Sequence, residues 1–300
     1  MTHRPVLLEE TLKHADIGDA EIVFEGTGGE GGLSGQIVSR LGPDGILIVT
    51  ELDRFLVANL RKELVECECR VYVEHDNFRN IASILKRLGL SRVDVIIFDL
   101  GLASYHYTES GRGFSFQKNE PLLMTLDDSA SSGVTAKDAV NRWKEENLRD
   151  IFAGLGGERY AKQIAKAIVL ARAKKSIETT GDLVDIILTA VGKRRGAIHP
   201  ATKIFQALRI AVNDEVGALH SALRSGWECL RSGGRFLVIS FHEIEDREVK
   251  TWFKSLVDDG VATLLCGKGI KAGLRERSQN KGSRSARLRA VRKVLLSSHE

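Results

Sequence analysis

Short β-branched apolar runs recur along the first hundred residues at a spacing that leaves room for one helix between each pair. EIVFEG (21–26), GILIVTELD (45–53), RVYVEH (70–75) and VDVIIFDLG (93–101) are such runs, and LSGQIVSRLG (33–42), RFLVANLRKELVE (54–66) and NIASILKRLG (80–89) carry helical periodicity between them. Parallel neighbours need a crossover of a dozen or more residues, which a helix supplies. The pattern predicts an α/β fold, a Rossmann-like, doubly wound sheet whose ligands sit at the carboxyl edge of the strands.

After Gly101 the texture changes. The stretch 105–133 is polar and rich in Gly and Ser, and its aromatics and Pro121 predict an ordered loop. From Thr135 to about Arg231 the periodicity is helical throughout: TAKDAVNRW opens on an N-cap Thr, LRDIFAGLG ends in Gly, and 158–175, 179–191 and 199–230 each read as one amphipathic helix. Such a stretch is too large for a crossover and predicts an inserted all-helical domain. The sheet resumes with GGRFLVISF (233–241), a helix over 245–257, and a closing pair of strands at 261–266 and 285–294. The expected division is a discontinuous domain of residues 1–107 and 217–300 around an insert of 108–216.

No apolar run approaches eighteen residues, and the N-terminus carries charge where a signal peptide is apolar, so a soluble, cytoplasmic chain with no membrane partner is expected. Cys67, Cys69, Cys229 and Cys266 form no CxxC pair and lack a His at zinc spacing; neither a disulfide framework nor a metal site is expected. Charge is uneven. From Cys266 to Glu300 ten Lys or Arg face only Glu276 and Glu300, a net of +8, which leaves the body at −4. A basic end on a mildly acidic body points to a polyanion such as nucleic acid, against the plainer reading of a solvated charged edge.

FEGTGGEGGLS (24–34) places five glycines between the first strand and its helix, where glycine lets backbone approach a ligand closely and turns helix amides toward it. Gly26, Gly28 and Gly31 meet the dinucleotide fingerprint, and Glu51 ends the second strand where a carboxylate can hold ribose hydroxyls. This spacing alone admits NAD or S-adenosylmethionine. Asp99, at the end of the fourth strand beside the glycine loop, favours the latter, because a polar group there can orient an amine near a sulfonium methyl.

HRPVLLEETL (3–12), GTGGEGGLS, VDVIIFDLGLAS, RGFSFQKNEPL (112–122), HPATKIFQALRIAVNDE (199–215), VISFHEIEDREVK (238–250) and RSARLR (284–289) occur in this order along nearly the whole chain. They resemble the signature blocks of the ribosomal RNA small-subunit methyltransferase H family, also called MraW. The resemblance implies S-adenosyl-L-methionine as cofactor, N4-methylation of a cytidine in the decoding region of 16S rRNA, and 16S rRNA or the 30S subunit as partner; it leaves homodimerisation open. It carries cofactor contacts onto the loop at Gly29, Gly31, Gly32 and Leu33, and onto Glu51, Phe78, Asp99 and His106. The chain departs from the family at Glu25 and Glu51 (Asp in the family), Leu33 (His), His106 (Gln), Ala103 and Glu243 (Ser), Leu123 (Asp) and Thr125 (Arg). Leu33 can then contribute only its backbone amide.

Cytosine N4 is a poor nucleophile, so in-line placement and an acceptor for its protons are required. Asp99 is the first candidate to orient the amine, with Ser104 and Asn213 in support. The base must leave its stack, and Phe114, Phe116, Tyr105 and Tyr107 could wall it, or could equally form a hydrophobic plug between the two expected domains. Arg112, His199 and His242 are further substrate candidates, although a lone His at a helix start or strand end is commonly structural. Alternation along the last strand places Arg287 and Arg289 on one face, with Arg284 before them, as a row for phosphates. Beside the methyltransferase reading stand a catalytically weakened RNA-binding assembly factor and a nicotinamide oxidoreductase.

Overall fold

The computed structural model describes residues 5–127, 133–192 and 199–295, the Lys281 side chain excepted. His3, Arg4 and Glu300, and the 128–132 portion of the loop expected over 105–133, lie outside the described residues. The chain divides into two compact units, Met1–Gly101 with Val216–Glu300, and Leu102–Glu215. The sequence places these breaks at 107/108 and 216/217.

The first unit opens with α1 (Leu8–Ala15), β1 (Ile22–Glu25), α2 (Gly32–Val38), β2 (Ile46–Glu51), α3 (Arg54–Glu63) and β3 (Arg70–His75). A 3-10 turn (Phe78–Asn80) then runs into α4 (Ile81–Arg87), and β4 (Val93–Asp99) follows. The second unit holds α5 (Ser104–Thr108), α6 (Ala136–Arg142), α7 (Glu145–Gly154), α8 (Ala161–Arg172), α9 (Thr180–Val191) and α10 (Ala201–Val212). The remaining elements are α11 (Glu215–Cys229), β5 (Leu230–Ser240), α12 (Glu243–Asp258), β6 (Ala262–Leu264), β7 (Ile270–Lys271), α13 (Leu274–Gln279) and β8 (Arg287–Lys293).

The strand order is β3-β2-β1-β4-β5-β8-β6, with β7 on β8. β1 to β5 pair in parallel, and β8 is antiparallel to β5, β6 and β7. The direction of winding reverses between β1 and β4, the switch point at which open α/β sheets bind ligands. Alternation along each strand feeds two cores. Phe24, Ile48, Phe98 and Phe236 pack with Ile84 of α4, Leu219 of α11 and Phe253 of α12. Val23, Leu47, Val49, Ile97 and Leu237 pack with Leu12 of α1, Ile37 of α2 and Leu60 of α3 on the other side. The helical unit buries its own core around Val140, Leu148, Phe152, Ile164, Leu183 and Leu208.

Three expectations are corrected. The single helix read over 199–230 is two, because Asp214 takes a left-handed conformation (φ 48°) that ends α10 and lets α11 start afresh. The predicted loop contains α5, and β7 and α13 fill the connection to β8. Helix α1, with no counterpart in the sequence reading, covers one sheet face through Leu12 and Ala15.

Phe98 is fully buried among the rings of Phe24 (6.5 Å), Phe78 (5.0 Å) and Phe236 (5.1 Å). Phe98→Ala is expected to cost about 3–5 kcal/mol, read as a lower urea midpoint with an unchanged m-value.

Candidate functional site

Side-chain alternation decides where the carboxylates at the switch point can go. Val23 and Glu25 on β1, Leu47, Val49 and Glu51 on β2, and Val95, Ile97 and Asp99 on β4 are each two residues apart. The apolar members all join one core. Period two therefore carries Glu25, Glu51 and Asp99 to the same side of the sheet at its carboxyl edge.

The glycine loop folds over that edge. The amide of Gly26 donates to Ile97 O (2.9 Å) and that of Gly28 to Thr50 O (2.9 Å), while the Thr50 hydroxyl donates to Gly26 O (2.7 Å). A Cβ on Gly26 would lie 2.4 Å from the Phe98 ring, and one on Gly28 2.5 Å from Val49 Cγ1 and 2.6 Å from Leu60 Cδ1. Gly31 adds a left-handed turn (φ 80°). Helix α2 has only seven residues, so the loop offers close backbone approach rather than a strong helix terminus. Gly32 is exposed at its start, and the Leu33 side chain is buried in the core, consistent with a role for its amide alone.

Glu51 ties the loop to β2: Oε2 accepts the Gly29 amide (2.9 Å), and Oε1 accepts those of Leu52 (2.7 Å) and Asp53 (3.0 Å). A carboxylate has about four lone-pair sites, so capacity remains for a hydroxyl. Phe78 flanks the loop from the 3-10 turn, its Cβ 3.0 Å from where a Gly26 Cβ would stand.

Asp99 receives no side-chain hydrogen bond at Oδ1, which is buried, and its backbone amide donates to Thr27 Oγ1 (2.9 Å). Burial, with the negative charge of Glu245 behind it, pushes its carboxyl up to about 7. Glu25 is fully buried; Oε2 accepts the Ser34 hydroxyl (2.6 Å) and Oε1 has no partner. Burial pushes Glu25 up to about 8, the charges of Asp99 and Glu51 add to the rise, and the Ser34 bond opposes it. The sequence reading missed Glu25, Thr27, Ser34 and Glu245 as site groups. For Glu25, Thr27 and Ser34 the polar residues in and beside the glycine-rich loop were the available signal, whereas Glu245 lies on α12.

The remaining candidates of the connecting loop lie in the helical unit. Ser104 opens α5. His106 is buried, its ring 5.3 Å from Phe114 and 5.8 Å from Tyr105. Arg112 donates to Thr125 O (2.9 Å) and Leu126 O (3.0 Å), anchoring the loop. Asn213 commits both amide protons to Met124 O (2.7 Å) and Arg209 O (2.8 Å) and accepts from Leu126 (2.8 Å), so it pins the same loop. Phe114 is buried; Phe116 stacks on His199 (4.7 Å) and meets Phe205 edge-on. These rings pack in the helical core, while Tyr107 stays exposed.

In the sheet unit His242 caps α12, its Nδ1 accepting the Glu245 amide and its Nε2 3.1 Å from Glu245 Oε1. The expected phosphate row fails at Arg289. That residue is buried and grips Asp246 of α12 with two bonds (2.7 and 3.0 Å), because α12 packs over this strand. Arg287 stands 3.5 Å from the same carboxylate, and Arg284 is exposed. No helix among the described residues is long and apolar enough to cross a membrane.

A parallel sheet carrying one antiparallel strand between β5 and β6, with a glycine loop after β1 and acids ending β2 and β4, is the architecture of the class I S-adenosylmethionine-dependent methyltransferases rather than the all-parallel nicotinamide order. The model of the MraW methylase family matches residues 1–294, and the chain belongs to that family. Among its relatives, the Ribosomal RNA small subunit methyltransferase H of Acetivibrio thermocellus is 39% identical, covering 97% of this chain and 99% of its own. That of Syntrophotalea carbinolica is 40% identical over 97% and 98%. A solved rRNA methylase from Streptococcus thermophilus aligns over 98% of this chain and 99% of its own with a TM-score of 0.45 at 10% identity.

Glu25 supplies a pH test. Its folded value lies above the unfolded one, so the folded state holds the extra proton, and the resulting stability is present below about 4.5 and lost as pH rises through about 8. The melting temperature of the ligand-free protein is expected to fall between pH 6 and 8.5 more steeply than that of Glu25→Gln, measured by calorimetry.

Proposed function

We propose that this chain transfers a methyl group from S-adenosyl-L-methionine to N4 of a cytidine in the decoding region of 16S rRNA, acting in the cytoplasm on 16S rRNA or the 30S subunit. The observation that carries the reading is the switch-point crevice of an MraW-family sheet, where three carboxyl groups on one side surround a glycine cradle and two of them keep an unpartnered buried oxygen. Orphaned carboxylate oxygens are costly unless a ligand meets them, and a net-cationic nucleoside fits both their charge and the close backbone approach.

When bound, the cofactor supplies an electrophilic methyl group on sulfur. Glu51 would hold its ribose hydroxyls, the bonds to Gly29, Leu52 and Asp53 keeping the carboxylate in place. Gly29, Gly31, Gly32 and the Leu33 amide would line its methionine side, and Phe78 would pack beside its adenine. Asp99 orients the cytidine amine through Oδ1 and accepts the proton lost as the N–C bond forms; an acceptor lifted to about 7 suits this near neutral pH. Arg112 and Asn213 act on the 122–126 loop as positioning residues. Arg284 contributes an exposed cation for phosphate, with Arg287 beside it. Ser104, His106, Phe114, Phe116, His199 and His242 remain proposed through the family blocks, with the packing roles described above.

With labelled S-adenosylmethionine and undermethylated small-subunit particles, the protein is expected to label cytidine N4 by nucleoside mass spectrometry. Asp99→Ala should lose transfer by at least a hundredfold with an unchanged circular dichroism spectrum. Wild-type turnover by that variant would remove Asp99 from the mechanism.

A further inference from the structure

Glu25 does not touch the roles assigned above, yet it is the most deeply buried carboxyl at the crevice. It lies one register step below the glycine loop, opposite Ile97, two residues before Asp99 on the neighbouring strand. The groups around the pair are acidic or neutral: Ser34 from α2, Glu51 from β2, and Glu245 from α12, itself bonded to the Phe241 amide and His242. Neither carboxyl takes an ion pair from a Lys or Arg among the described residues, and Glu25 Oε1 and Asp99 Oδ1 are both unpartnered. A buried cluster of this sign lacks its cation.

We infer that Glu25 and Asp99 together read the charge of the ligand: each holds a proton in the ligand-free protein, and a cationic methyl donor displaces one of these protons to solvent. This rests on the crevice being the cofactor site. The donor carries a sulfonium and is net +1, whereas the thioether product is a net-neutral zwitterion; both share the same ammonium and carboxylate. The donor therefore gains more from ionising the pair, by the attraction of its sulfonium. Donor loading leaves Asp99 as a carboxylate ready to accept the amine proton. Transfer then removes the positive charge from sulfur, and the proton from N4 returns to the carboxyl pair, which relaxes the crevice's grip on the product.

The sign follows from burial. Both groups hold protons below their raised values and are charged above them, so donor affinity rises from pH 6 to 8 and levels off beyond, while product affinity stays nearly flat. Isothermal titration of the intact protein with S-adenosylmethionine and S-adenosylhomocysteine at pH 7, in phosphate and in Tris, reads the protons released. The donor is expected to release about half to one proton and the product markedly fewer. Glu25→Gln, which mimics the protonated acid and keeps a group for Ser34, should shrink both the release and the donor-over-product preference by roughly fivefold or more. A donor that binds with the same enthalpy in both buffers overturns the inference and leaves the cofactor site standing. A donor that fails to bind at all overturns the cofactor site and the inference with it.

Discussion

The Phe98 ring and a side chain at position 26 cannot occupy the same space, and the structure resolves this by having glycine there. The ring then lies against position 26 and packs on Phe24, Phe78 and Phe236, so the hydrophobic core reaches up to the underside of the glycine loop. Gly28 repeats the arrangement against Val49 and Leu60 on the opposite face. Loop shape and core packing are thereby one constraint. The close backbone approach that a nucleoside needs is produced by the same absent side chains that let the sheet pack.

Electrostatics at this edge follow from the strand period. Three acids end three adjacent strands in the same phase, and period two sends all of them to one side. They are then treated differently: Glu51 is satisfied by three backbone amides, Glu25 by one hydroxyl, and Asp99 by no donor at Oδ1. That gradient of satisfaction separates a carboxylate held by the backbone from two that keep a buried, unpartnered oxygen. It also explains why a buried acidic site can be stable without a ligand, since a neutral carboxyl costs far less to bury than an ionised one.

The parallel sheet, the glycine loop and the acids at 51 and 99 were legible because each is marked locally, by an apolar run ending in a polar residue. The break at Asp214 was not, since apolar spacing continues across it and the left-handed turn depends on one residue's backbone. Arg289 misled for a different reason. Alternation gives the face of a strand correctly but not what covers that face, and here α12 brings Asp246 onto it. Glu25 was visible as a departure from the family acid, while its lack of an ion pair to a Lys or Arg among the described residues depends on neighbours drawn from β2, β4, α2 and α12. The aromatic cluster after Gly101 left two readings open; Phe114 and Phe116 pack within the helical core, while Tyr107 is exposed.

The proposed function requires a sulfonium donor lying between Gly31, Glu51 and Asp99. A crystal structure of the protein soaked with S-adenosylmethionine tests this most directly. Density for the ribose on Glu51, with the methyl group facing Asp99, is the expected result; a donor bound elsewhere, or a crevice that stays empty at saturating concentration, would contradict it.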